Sequence, residues 1–322
     1  MRPAPDFTPY RFSTMTLPEQ ERVPFWREVF GRQAVRLNIE SRSPSPLEAQ
    51  AVMRALPGLR SASFVSTAAH LVRPTSMITD GDDAVVLLVS RRGTLAASQR
   101  GREVSVGSGD ATLLLHGEPS SVTHARISFQ GLIVPRAPIA ALVTNLEDAA
   151  MRPIPHANDT LRLLMSYVEA VGRDLAIRPP ELRSLVATHI HDLVAMIVGA
   201  SHDGVAIAEE RGVAAARLAA VKADVIEHIG CEDINLLAVA ARQGMTPRSI
   251  QRLFEREGST FSAFKLEQQL TCARHMLQSK QYAAWTIAAI ALAAGFGDVS
   301  YFHRIVRRRF GATPSDLRAA GR

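Results

Sequence analysis

Between Asn235 and Arg318 the chain carries the same small device twice, and this duplication limits the folds open to it. In the first copy Leu236, Val239 and Ala240 precede a Gly244-Met245-Thr246 turn, and Pro247-Arg248-Ser249-Ile250-Gln251-Arg252-Leu253-Phe254 follows. In the second, Ile287, Ile290 and Ala291 lead through Gly295-Phe296-Gly297-Asp298 to Val299-Ser300-Tyr301-Phe302-His303-Arg304-Ile305-Val306. Apolar residues three and four apart put a stripe on one helix face, and glycine between two such runs supplies a turn. Each copy predicts helix, glycine turn, helix, the arrangement that can set its second helix into a DNA major groove. The two units are expected at about 235–257 and 286–310.

A helix turns about 100° per residue. With Ile250, Leu253 and Phe254 packed inward, Arg248 and Arg252 point within roughly 30° of the opposite direction. The same rotation from Phe302, Ile305 and Val306 leaves Ser300, Arg304 and Arg307 outward. Thr246 and Asp298 stand where an N-cap oxygen is wanted, and Pro247 where a helix needs no N–H. Arg and Gln forks match guanine and adenine edges, so Arg248, Gln251, Arg252 and Arg304 are the expected base readers. Ser249, Ser300, His303 and Arg307 are expected to reach bases or phosphates, and Thr246 and Asp298 complete the expected DNA-binding set. The competing reading, solvated faces of ordinary helices, loses ground because two copies expose matching faces.

The run Ala294-Gly295-Phe296-Gly297-Asp298-Val299-Ser300-Tyr301-Phe302, followed by Phe310-Gly311-Ala312-Thr313-Pro314-Ser315 and Arg318, resembles the carboxyl-terminal signature of the AraC/XylS transcription regulators. The resemblance implies two helix-turn-helix units held by one long helix, with both second helices in successive major grooves. It also implies promoter DNA and RNA polymerase as partners, with activation the commoner outcome. The expected connector is Phe261 to Gln278, whose eighteen residues would span about 27 Å, close to one turn of DNA. Gln269 stands where the family usually carries Arg, implying a changed polar or phosphate contact. Val306 stands where it usually carries Phe, implying a smaller core under the second reader.

Charge separates the chain into two parts. Residues 217–322 hold 15 Lys and Arg against 9 Asp and Glu, while the remainder holds 22 of each. The whole excess of the +6 chain therefore lies in its last third, as phosphate binding requires. The run Arg307-Arg308-Arg309 gains interest from its place at the end of a reader helix, although a charge run is by default a solvated face. Cys231 and Cys272 are the two cysteines, too few for a disulfide framework or a cysteine metal cluster. Met1 to Phe12 lacks the apolar core of a signal peptide, and no stretch is apolar enough to span a membrane, so a cytoplasmic protein with no membrane partner is expected.

The first two thirds read mostly as strands. Pro18 to Phe30 predicts a helix bearing Val23, Trp26, Val29 and Phe30; Val35, Leu37 and Ile39 alternate as a strand, broken by Pro44 and Pro46. From Ser63 to Phe129, short apolar runs at 84–90, 94–99, 102–106, 111–115 and 122–129 are divided by Arg92-Gly93, Arg100-Gly101 and Gly107-Ser108-Gly109-Asp110. This spacing predicts an antiparallel barrel or double-sheet jelly roll. The region resembles the cupin-like sensing domain of many AraC-type regulators, with Trp26 in a leading helix and Arg73 before the first barrel strands.

A metal-binding cupin needs clustered histidines on one strand, yet Arg92 to Asp110 contains none, and His70, His116 and His124 are scattered. No metal, cofactor or catalytic residue is expected. A barrel mouth is a common small-molecule site, and His70, Arg73, His116 and Arg126 are the candidate effector-binding residues, an Arg suiting a carboxylate. Each taken singly fits a surface polar group as well.

Leu161, Leu164, Met165, Val168 and Val171 form one helical stripe, and Leu182, Leu185, Val186, Ile190, Leu193 and Ile197 a second beyond Pro179-Pro180. In resembling proteins such helices make the dimer contact, so a homodimer is a candidate assembly; the stripes alone fit packing within the chain equally well. The expected fold class is α+β multidomain: an N-terminal cupin-like β-barrel or jelly roll with flanking helices, and a C-terminal all-α domain with two helix-turn-helix motifs. The expected domains are 1–200 for effector sensing and dimerisation, an exposed linker at 201–216, and 217–322 for DNA binding. The function expected is a sequence-specific transcription regulator, an activator controlled by a small effector. A cupin-type enzyme with a basic module and an architectural DNA-binding protein are the alternatives.

Overall fold

A computed structural model describes residues 6–42, 45–173, 177, 179–230 and 234–320. Pro44 and Cys231, named above, lie outside them. The chain divides into two compact units, Met1–Ala216 and Arg217–Arg322.

The first unit contains β1 (Tyr10–Ser13), β2 (Asn38–Ser41), β3 (Ala49–Leu56), β4 (Leu59–Ser66), β5 (Ala69–Arg73), β6 (Val85–Arg92), β7 (Leu95–Gln99), β8 (Arg102–Val106), β9 (Ala111–Leu115), β10 (Ser120–His124) and β11 (Ile127–Val134). They form two antiparallel sheets, in the orders β1-β3-β4-β11-β6-β9 and β2-β5-β10-β7-β8. Side chains alternate across a strand, so Ala49, Ala51 and Met53 of β3, Leu95 and Ala97 of β7, and Phe129 and Ile133 of β11 all reach one shared core. Burying a side chain of the size of Phe129 contributes about 1.5–3 kcal/mol by removing it from water. The Arg100-Gly101 turn joins β7 to β8 with both residues at positive φ, 56° and 69°, the backbone twist that two-residue hairpins prefer.

Strand structure starts earlier than the spacing predicts. Five strands precede β6, so Arg73 closes β5 instead of preceding the barrel. Val35 belongs not to a strand but to the end of a π-helix, Trp26–Val35, that continues α1 (Glu19–Phe25). Arg36, at φ 58°, turns the chain out of that helix before β2. The stretch at 122–129 is two strands, β10 and β11, with Ala125 and Arg126 between them.

Helices α2 (Thr75–Ile78), α3 (Arg136–Ala140), α4 (Leu146–Ala149), α5 (Asp159–Arg173), α6 (Pro180–Val198) and α7 (His202–Ala208) complete the first unit with a π-helical stretch, Glu209–Val213. Residues 201–216, expected as an exposed linker, are largely helical and packed. Gly204, Ala208, Gly212 and Ala216 recur every fourth residue and are all buried. A Cβ on Gly212 would sit 2.7 Å from Asp192 Cβ and 2.8 Å from His189 O of α6, so the absence of a side chain permits the approach. Arg211 then fastens the stretch with two hydrogen bonds to Asp192, at 2.8 and 3.1 Å. Small residues carry little hydropathy signal, which is why the sequence suggests a link here.

The second unit begins within α8 (Ala214–Glu227) and continues through α9 (Leu236–Arg242), α10 (Pro247–Arg256), α11 (Phe261–Gln278), a short 3-10 turn, α12 (Ile287–Ala293), α13 (Val299–Phe310) and α14 (Pro314–Ala320). Among the described residues no helix is long and apolar enough to cross a membrane.

Candidate nucleic-acid interface and effector cavity

The second unit is built from helices whose starts are fixed by side-chain oxygens. Asn235, Thr246, Thr260, Thr286 and Asp298 each accept from the backbone N–H three residues on, at 2.9–3.1 Å. Gly244 (φ 61°) and Gly295 (φ 84°) make the left-handed bends between α9 and α10 and between α12 and α13. Both repeats are thereby helix, glycine turn and capped second helix.

Ile250, Leu253 and Phe254 of α10 are buried, as are Phe302, Ile305 and Val306 of α13. Arg248, Gln251, Arg252, Ser300, His303, Arg304 and Arg307 are exposed, and Ser249 is half-buried. Thr246 and Asp298 are exposed too, but their oxygens are engaged in capping; Thr246 Oγ1 also lies 2.8 Å from Ser249 Oγ. The arginines divide into two kinds. Arg242 is held by Asp224 through three contacts of 2.9–3.2 Å, and Arg309 by Glu267 at 2.7 and 3.1 Å. Arg248, Arg252 and Arg304 have no carboxylate partner among the described residues; Arg304 lies over the Tyr301 ring at 5.5 Å. Long donors left open on a reader helix can pair with base edges or phosphates.

Two surface grooves join these residues to others that periodicity did not single out. Ser300, His303, Arg304 and Arg307 share one with Arg308 and Thr313. Gln251 of α10 and Tyr301 of α13 line a second, of about 710 Å³, with Glu255, Thr260 and Lys265. Burial pushes the Lys265 ammonium below its ordinary range. Gln269, at the family's arginine position, is buried and donates to Gly295 O at 2.6 Å, so it braces a turn. Val306 is 1% exposed in a core with Leu270, Ile290 and Phe296.

Of the four candidate effector residues, one lines the barrel cavity. That cavity has a volume of about 60 Å³, and its walls include Phe30, Phe64, Leu71, Leu88, Phe129 and His116. His70 sits on the opposite face of β5 from Leu71, between Arg42 (3.2 Å) and Glu40 (3.8 Å). Arg126 is on the surface, paired with Glu48 at 2.5 Å. Arg73 is fully buried, but its guanidinium is consumed by His116 O, Arg36 O and Asp80. Arg36 and Arg60 reach Asp82 at 3.3 and 2.9 Å. The His116 imidazole, then the Arg60 charge, hold the Asp82 carboxyl well below the usual carboxylate range against its burial. Phe64 and Phe129 belong to strand rows whose alternation could have shown them, and Phe30 to the leading helical stripe; the cavity itself has no sequence signal. Among the described residues no group of three or more His, Cys, Asp or Glu is placed to hold a metal.

The family model described as a helix-turn-helix domain matches residues 239–320, and that described as an AraC-binding-like domain matches 26–197, more than half of the chain. The chain belongs to the AraC family of transcriptional regulators. An AraC-family chain is a regulator and not an enzyme, which sets aside the cupin-type enzyme reading. It is similar to the transcriptional activator RhrA of Rhizobium meliloti (strain 1021), 28% identical over 239 residues that cover 74% of each chain. It is also similar to the transcriptional activator NphR of Rhodococcus sp, 28% identical over 262 residues, 78% of this chain and 75% of that one. The crystal structure of the AraC-like transcriptional activator CuxR shares the fold at a TM-score of 0.52 and 17% identity, covering 89% of this AraC-family chain and all of CuxR.

Proposed function

We propose that this regulator is an activator that binds promoter DNA through α10 and α13 and is controlled by a small molecule in the barrel cavity. The observation that carries the reading is the pair of capped helices with outward arginines that have no carboxylate partner among the described residues, Arg248 and Arg252 on one and Arg304 on the other. Arg248, Gln251, Arg252 and Arg304 read bases, while Ser249, Ser300, His303 and Arg307 reach bases or phosphates. Thr246 and Asp298 add their exposed edges at the backbone while they cap. Residues 1–200 sense the effector, 201–216 connect, and 217–322 bind DNA. The effector shifts the population of DNA-binding states only by as much as it prefers one of them. Activation makes RNA polymerase a partner, and the exposed Leu182 and Leu185 of α6 suit a homodimer contact. The similarity to RhrA and NphR, both transcriptional activators, supports the direction of regulation.

The test is selection of bound fragments from the organism's own DNA by the full-length protein at physiological salt. A few promoters sharing two half-elements about one helical turn apart are expected. Recovery of random fragments, with binding that fades steeply in salt, would leave only an architectural role.

A further inference from the structure

Lys265 stands on the connector α11 and lines the groove of about 710 Å³ that Gln251 of α10 and Tyr301 of α13 also line. Each reader thus brings one exposed residue to this groove, and the connector brings a half-buried cation. Lys222 is held by Glu257, and Glu267, the carboxylate nearest Lys265 in sequence, is held by Arg309 at 2.7 and 3.1 Å. Lys265 has no carboxylate partner among the described residues; Glu255 lines the same groove without pairing with it. Burial alone acts on the ammonium and lowers its pKa, so the cost of its lost water is not offset by an anion.

Two readers set into successive major grooves on one face of DNA stand about 34–36 Å apart along it. Between them, on that face, lies one minor groove bordered by two sugar–phosphate backbones, each with a charge for about every 3.4 Å. A protein groove that lies between a residue of one reader and a residue of the other faces this stretch of backbone. Side chains there meet phosphates before base edges. An ammonium, a compact charge with three donors, suits a phosphate oxygen and needs no fixed approach angle.

We propose that Lys265 makes a third DNA contact, carried by the connector and by neither reader: it pairs with a backbone phosphate between the two half-elements. This rests on the reading of α10 and α13 as the DNA-binding helices and adds to it a contact with the spacer. Such a contact carries no base preference of its own. It returns to the half-buried ammonium the anion that the free protein does not supply. Glu255, exposed on the same groove, opposes a backbone there, so its charge works against the pairing.

The probe is a duplex of about three helical turns carrying a promoter fragment recovered by the selection above, titrated with full-length protein. Lys265→Gln is expected to weaken binding about three- to tenfold at physiological salt, and by the same factor on duplexes with single-base changes in either half-element. It is also expected to lower the slope of log affinity against log salt by about 1. Lys265→Arg, which keeps the charge, is expected to keep the slope. Glu255→Gln is expected to strengthen binding, by up to about threefold. Replacing the spacer phosphates one at a time by uncharged methylphosphonate is expected to weaken the unaltered protein at one or two positions, an arm that needs no folded variant. Those positions are expected to be silent with Lys265→Gln. An unchanged salt slope in Lys265→Gln, a loss confined to one base position, weaker binding in Glu255→Gln, or a spacer with no sensitive phosphate overturns the proposal. Arg252→Ala and Arg304→Ala in the same titrations separate the two readings. Loss of affinity in both with none in Lys265→Gln overturns the connector contact alone, whereas no change in either arginine variant overturns the reader assignment beneath it.

Discussion

Nε2 of Gln269 donates to the carbonyl oxygen of Gly295 at 2.6 Å, so the connector helix α11 holds the turn of the second reader through a buried hydrogen bond. Gly295 lies at φ 84°, and a Cβ there would come within 2.7 Å of that same Nε2. Gln269→Ala leaves the carbonyl without its partner and is expected to cost about 1–3 kcal/mol. Gly295→Ala adds left-handed strain to a steric conflict and is expected to cost at least about 1 kcal/mol. Denaturant titration of the full-length chain, resolved by unit, checks both; an unchanged midpoint for Gln269→Ala would mean that the turn stands without the bond.

Arg252 and Arg309 are both exposed, and the structure separates them. Arg252→Ala is expected to lower specific affinity by about 1–3 kcal/mol and relax preference at one base position. Arg309 is engaged with Glu267, and Arg309→Ala is expected to change binding by less than about 1 kcal/mol and equally on all sequences. Titration of a selected site and its single-base variants distinguishes the two; uniform loss with Arg252→Ala would make that residue a phosphate contact.

Thr246→Ala and Asp298→Ala remove the oxygens that start α10 and α13. Each is expected to cost about 1 kcal/mol. Amide exchange should speed first at Ser249 for one variant and Tyr301 for the other, since those N–H groups lose their acceptors.

Acid should weaken the barrel through Asp82. Its carboxyl titrates below its ordinary value in the fold, so the stabilisation it brings is complete above the ordinary carboxylate pKa and is lost as pH falls through the depressed one. Asp82→Asn is expected to cost about 2–4 kcal/mol near pH 7 and to flatten the stability curve below about pH 4. Thermal melts across pH 2–7 compare the two proteins; parallel curves would remove Asp82 as the source of acid sensitivity.

The reader helices were legible in the sequence because three and four residue spacing, a glycine and a capping residue all agree there. The packing of 201–216 was not, because it runs on glycine and alanine. The barrel spacing marked the strands from Ala84 onward, while β3 and most of β4 escaped notice: Arg54 and the alanines and serines of those strands mask their alternation. Arg73 was misread for a different reason. Its type suggests a ligand contact, and only the three acceptors around it, brought from Arg36, Asp80 and His116, show that its donors are already taken.

The capping oxygens of Thr246 and Asp298 also set the rotational phase of each reader. A residue inserted between Thr246 and Arg252 would swing the guanidinium by about 100° around the helix, away from the groove, while leaving every side chain in the motif chemically intact. The spacing from cap to arginine is thus a ruler, and this module should tolerate many exchanges of residue type at the reader surface but hardly any change in length.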